Sequence, residues 1–322
     1  MNDLSLIEKF RADVPPPAPE SLARARAAMF TVGAEPTRRS RWIWRLAPAA
    51  ALAAAVAVAA GVVTQPESRP AAPAPRAEGP AGSSAPVLPS NASDAAGLLR
   101  LAAAEVRAEP VLRVGPGQVL FFESIEAQDN IENLETKPTW VPPQEINRKI
   151  WLPVDGSTAG LLIQTVTRTG EKFHVPLDAD GTTPYLTGLP TESKAMRDWL
   201  YTVDAGTAAE DGPDAAAWDK LGETLREKYL TPDSRAALYE AAATIPGTIL
   251  VKRADLAGRR GMAVSRLSGP VRFDYIFDAR TYEFLGERVV VVGHLKPYPK
   301  GVVSRYTAQL RTAVVDKVGQ LP

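Results

Sequence analysis

The chain has 322 residues, 37 basic and 37 acidic side chains, two histidines and no cysteine. Such a balance provides no global positive field for nucleic acid. The missing thiols exclude disulfides, thiolate metal sites and a lipoprotein anchor on cysteine. The charges are unevenly placed, however, with Lys9, Arg11, Arg24, Arg26, Arg38, Arg39, Arg41 and Arg45 making the first 45 residues net basic and the remainder slightly acidic.

Residues 1–45 read as a tail of two short amphipathic helices broken by "DVPPPAPE", since consecutive prolines cannot continue a helix. From Leu46 to Thr64 run 19 uncharged residues. As a helix they would cover about 28 Å, the thickness of a bilayer's hydrocarbon core. Trp42 and Trp44 stand at the end where Arg38, Arg39, Arg41 and Arg45 cluster, and these six residues set the expected topology. Indole rings favour the headgroup level and arginines favour the cytoplasmic side, so the N-terminus is expected inside and everything after about residue 65 outside. A signal removed after secretion and a soluble alanine-rich helix are the two alternatives to a single-pass anchor in the lipid bilayer.

Residues 65–93 are rich in Pro, Ala, Gly and Ser and read as an extended tether. Residues 94–322 carry the pattern of one α+β domain with an antiparallel, curved sheet and packed helices. A helix is predicted from Asp94, then strands over "GQVLFFESIEAQ" and over the segment turning at Asp155-Gly156, a pair that favours a hairpin. Helices follow over "SKAMRDWLYTV", over "DAAAWDKLGETLREKYL" with Trp218, Leu221, Leu225 and Tyr229 on one stripe, and over "TPDSRAALYEAAATI". The last 75 or so residues alternate as strands about "DLAGR" and "DART", with Phe273, Tyr275 and Phe277 predicting a half-buried strand.

In that order, "FRADVPPPAP", the apolar run, "WLPVDGS", "ALYEAAATIPG", "DLAGRRG" and "FDARTYEFLGE" resemble a family of uncharacterised actinobacterial single-pass membrane proteins often encoded beside extracytoplasmic-function sigma factors. The resemblance implies an outward-facing domain in envelope signalling and transfers no catalytic residue. The hairpins also resemble the half-barrel sheet of periplasmic lipoprotein carriers, which implies an apolar concavity suited to acyl chains.

No catalytic constellation stands out. His174 and His294 are 120 positions apart without adjoining carboxylates, and "DADGT" at 178–182 lacks the ligand spacing of a calcium loop. "GPGQ" at 115–118 has no lysine or helix to make a phosphate cradle. The pairs Glu123/Glu126 and Asp274/Asp278 could enter an acid-base scheme only if they faced one another. Arg259 and Arg260, flanked by glycines, are the candidate contact for an anion or partner, and Trp140, Trp151, Trp199 and Trp218 could line a groove or fill the core. No catalytic residue, metal or cofactor is expected. The reading is a non-enzymatic, membrane-anchored binding or sensor protein that recognises a lipid, a wall fragment or a protein outside and contacts a sigma factor or regulator through its tail. An envelope hydrolase with an unrecognised acidic site and a structural surface protein are the alternatives.

Overall fold

A computed structural model describes residues 92–322, apart from 134–135, 180, 182 and 203–211. The tail, the apolar run with its arginines and tryptophans, and nearly all of the tether lie outside the described residues. Among the described residues no helix is long and apolar enough to cross a membrane.

The described chain opens with α1 (Ala95–Arg107), whose first turn is capped by the Asp94 carboxylate accepting from the Gly97 amide at 2.6 Å. Leu98, Leu99, Ala102, Ala103 and Val106 form its buried stripe, and Ala92 joins the same core before the helix begins. Six strands and a short seventh follow: β1 (Val119–Ala127), β2 (Asn130–Glu132), β3 (Thr139–Val141), β4 (Glu145–Pro153), β5 (Gly160–Val166), β6 (Lys172–Leu177) and β7 (Tyr185–Leu186). The helical block is α2 (Ser193–Leu200), α3 (Pro213–Leu225), the two-residue strand β8 (Tyr229–Leu230) and α4 (Pro232–Ala242). β9 (Thr248–Val251), β10 (Gly261–Ser268), β11 (Val271–Asp278), β12 (Phe284–Val291) and β13 (Val303–Val315) complete the order.

Nine strands form one antiparallel sheet in the order β6-β5-β4-β1-β13-β12-β11-β10-β9. The fold is α+β, with the helices gathered on one face of the sheet, called inner below. Met262, Val264, Tyr275 and Phe277 point from β10 and β11 into the core made with α1, α2, α3 and α4. Toward the other end of the sheet, Leu120, Phe122, Ile150 and Leu162 pack beneath Leu112, Tyr185 and Tyr229. Tyr185 and Tyr229 stack with ring centroids 5.2 Å apart. The Tyr229 hydroxyl accepts from the Leu112 amide and the Tyr185 hydroxyl donates to the Leu112 carbonyl, both at 2.7 Å, so the connection from α1 to β1 is held down at both backbone polar groups of Leu112.

Two sequence expectations change. The stripe from Trp218 to Tyr229 is not one helix: α3 stops at Leu225 and Tyr229 belongs to β8, because Glu227 adopts φ 48°, outside the right-handed helical region. β11 is buried on both faces rather than half-buried. Its outer Ile276 packs with Ala263, Leu285 and Ala308 under Ala254 and Leu256, contributed by the loop between β9 and β10 that folds back over the sheet. Gly222 is required where α3 meets this sheet: a Cβ there would lie 2.2 Å from the Tyr275 hydroxyl, which donates to the Trp218 carbonyl at 2.9 Å.

Candidate functional site

Strand alternation separates the first of the predicted carboxylate pairs, and turn hydrogen bonding occupies one member of the second. Three positions apart on β1, Glu123 and Glu126 point to opposite faces. Glu123 lies 3.6 Å from Lys149 on the outer face, while Glu126 is buried on the inner face as an ion-pair partner of Arg148 from β4. Asp278 spends its carboxylate on the turn it opens, accepting from the amides of Arg280 and Thr281 at 2.8 and 2.9 Å.

Asp274 has a different role. Its fully buried side chain accepts from Arg272 Nε at 2.6 Å and Nη2 at 2.9 Å, and from Arg288 Nε at 2.8 Å. Burial alone would raise its pKa, yet the hydrogen bonds and charges of the two guanidiniums hold it below the usual carboxylate range. Both carboxylate oxygens are satisfied by the planar forks of two arginines.

A second network lies on the inner face, beneath the connection from α3 to β8. Arg226 donates through Nε to Glu287 Oε1 of β12 at 2.9 Å, and the next residue, Glu227, reaches toward Arg148 of β4. Two successive side chains of opposite charge therefore fasten this connection to strands on both sides of β1 and β13. Arg148 Nη2 is 3.3 Å from Glu227 Oε1, near enough for attraction but misaligned for hydrogen bonding, because that oxygen, Glu126 Oε2 and Arg148 Nε are all buried without a hydrogen-bond partner. Burial pushes the Glu227 carboxyl up, against the opposing pull of Arg148. Two carboxylates thus face one guanidinium in a site that sequence spacing could not reveal, since Glu126 and Glu227 are a hundred positions apart. The adjoining void, lined by Phe122, Ser124, Arg226, Glu227, Gln309 and Thr312 among others, measures about 10 Å³. That is room for about one water molecule.

An open cleft of about 430 Å³ lies elsewhere, at the end of β1, β4 and β5. It is lined by Asn130 and Glu132 of β2, by Val141, Pro142, Pro143 and Gln144 at the connection from β3 to β4, by Glu145 at the start of β4, and by Thr167 and Arg168 of the turn after β5. The Thr167 amide donates to the Glu145 carbonyl at 3.0 Å, and the Tyr306 hydroxyl donates to the Glu145 carboxylate, which fixes that part of the lining. This volume falls inside the range of small-ligand sites, about 300–1,000 Å³.

Arg259 and Arg260 do not converge on one point. Arg259 folds back, half-buried, donating from Nη2 to the Leu285 carbonyl at 3.1 Å, and its loss of solvent lowers its pKa. Arg260 is exposed. The tryptophans also divide: Trp151 and Trp218 are core, the former donating to the Gln320 carbonyl at 2.6 Å, while the Trp199 ring carries Lys220 Nζ at 3.9 Å from its centroid and Trp140 sits in β3. His174 and His294 are exposed on β6 and on the loop after β12. The Gly115 amide is taken by Gln118 Oε1 at 2.7 Å, closing "GPGQ" on itself.

The chain matches no family profile and no curated protein. Among solved structures it is similar to a chain of the Pseudomonas aeruginosa MucA/MucB complex, with 14% identity and a TM-score of 0.26 over 71% of this chain, which spans 58% of that one. It is also similar to a DUF1329 family protein from Desulfovibrio piger, with 9% identity and a TM-score of 0.20 over 70% of this chain and 93% of that one. At this level of superposition neither likeness bears on the site.

Proposed function

We propose that this chain is a membrane-anchored binding or sensor protein. Leu46–Thr64 holds it in the bilayer, residues 92–322 recognise a ligand outside the cell, and the first 45 residues meet a sigma factor or other regulator inside. The observation that carries the recognition half is the contrast in access. The 430 Å³ cleft is open and its lining includes amide and charged groups, whereas the carboxylates Glu126 and Glu227 lie beside a void with room for about one water. The inner face is filled by the chain's own helices at β10 and β11, which favours a polar ligand over an acyl chain. The anchoring half rests on the arginine-flanked apolar run and on the Pro/Ala-rich tether that leads into the folded body.

The chain has no cysteine, so single cysteines report topology without background. Lys194→Cys, at a side chain 91% exposed on α2, is expected to react with a membrane-impermeant maleimide on intact cells, and Ser5→Cys is not. The opposite pattern overturns the placement. A hydrolase built on Glu126 and Glu227 is the second reading, favoured by the raised pKa of Glu227 beside a second carboxylate. It requires Glu227→Gln to abolish turnover of an envelope substrate.

A further inference from the structure

Two residues of opposite charge line the cleft from different elements, Glu132 from β2 and Arg168 from the turn after β5. Both are exposed, and among the described residues neither makes an ion pair with the other or with anything else. Asn130 and Gln144 add amide groups, each able to donate and accept, to the same lining. Pro142-Pro143, also in the lining, stiffen the backbone between β3 and β4. A carboxylate and a guanidinium that do not neutralise each other across a concave surface are complementary to a molecule with an ammonium at one end and a carboxylate at the other. Amides in the same lining match its peptide groups.

We propose that this cleft binds a short zwitterionic peptide, its ammonium toward Glu132 and its carboxylate toward Arg168. The inference deepens the recognition reading above, from a polar ligand to a peptide with both ends free. It accounts for the charged and amide groups that Glu132, Arg168, Asn130 and Gln144 add to a lining formed also by Val141, Pro142 and Pro143. Arg168 supplies the fork that suits a carboxylate, and Glu132 the anion that suits an ammonium.

The test is calorimetric titration of the full-length chain in detergent with tri-alanine, N-acetyl-tri-alanine and tri-alanine amide. Tri-alanine is expected to bind, and blocking either end to weaken binding by about tenfold or more. Arg168→Ala should weaken binding and erase the penalty of amidation while leaving that of acetylation; Glu132→Gln should do the reverse. Both side chains are exposed, so neither substitution threatens the fold. Absence of binding at millimolar tri-alanine, or equal binding of free and blocked peptides, overturns the proposal. Binding that persists when the maleimide pattern is reversed would refute the outward placement and leave the cleft assignment standing.

Discussion

Two arginine–carboxylate networks lie on opposite faces of the same sheet, and they are built to different standards. On the outer face one carboxylate, Asp274, meets two arginines and both of its oxygens are used. On the inner face one arginine, Arg148, faces two carboxylates, Glu126 and Glu227, and three polar atoms are left without partners. A complete buried pair is costly to break because each fragment would keep an uncompensated charge. An incomplete one has already lost part of that interaction, so the same kind of substitution removes less. The difference teaches that burial of charge does not by itself mark a working site: each network is occupied by the chain's own side chains, whereas Glu132 and Arg168 of the open cleft have no ion-pair partner among the described residues.

The comparison can be broken first at its strong end. Asp274→Ala leaves Arg272 and Arg288 unpaired around a fully buried position and is expected to cost about 3–5 kcal/mol by denaturant unfolding. Arg148→Met, which removes a charge whose hydrogen bonding is already partial, is expected to cost less, about 1–3 kcal/mol. If Arg148→Met proved the more damaging of the two, the ranking of the networks would be wrong.

The pH dependence sharpens the contrast because the two groups shift in opposite directions. Asp274 is held below its ordinary range, so its contribution is full above that range and is lost as pH falls through its lowered value. Glu227 is raised, so the folded state holds its proton more tightly than the unfolded chain. That contribution is present in acid and is lost as pH rises from the ordinary carboxylate range through the raised value. Glu227→Gln should therefore change stability at acid pH by less than about 1 kcal/mol and abolish the decline on the alkaline side of that window. A pH–stability profile identical to that of the parent would show that Glu227 does not titrate there. Arg260→Ala, at an exposed position without a contact of consequence to the fold, is expected to stay within about 0.5 kcal/mol.

Much of the sheet was legible because its signals are local. Asp155-Gly156 does turn β4 into β5 with Gly156 at φ 63°, and "DLAGR" and "DART" do separate paired strands. Other features depend on contacts distant in sequence. Nothing between Trp218 and Tyr229 signals that Arg226 and Glu227 will be pulled to β12 and β4, so the four-residue spacing of Leu225 and Tyr229 suggested a helix that the tertiary pairs interrupt. The burial of Ile276 required knowing that Ala254 and Leu256 fold back across the sheet. Arg259 and Arg260 could be noticed but not distinguished, because only the fold shows one bonded to Leu285 and the other in solvent. The cleft is assembled from three separated segments and carries no motif, which is why sequence alone passed over Glu132 and Arg168.

Amide chemical-shift mapping of the full-length chain during a tri-alanine titration tests the central assignment most directly. The account predicts shifts concentrated at Asn130, Glu132, Gln144, Glu145 and Arg168, with Glu126, Arg148 and Glu227 unmoved. Shifts centred on those last three residues, with the cleft silent, would contradict it.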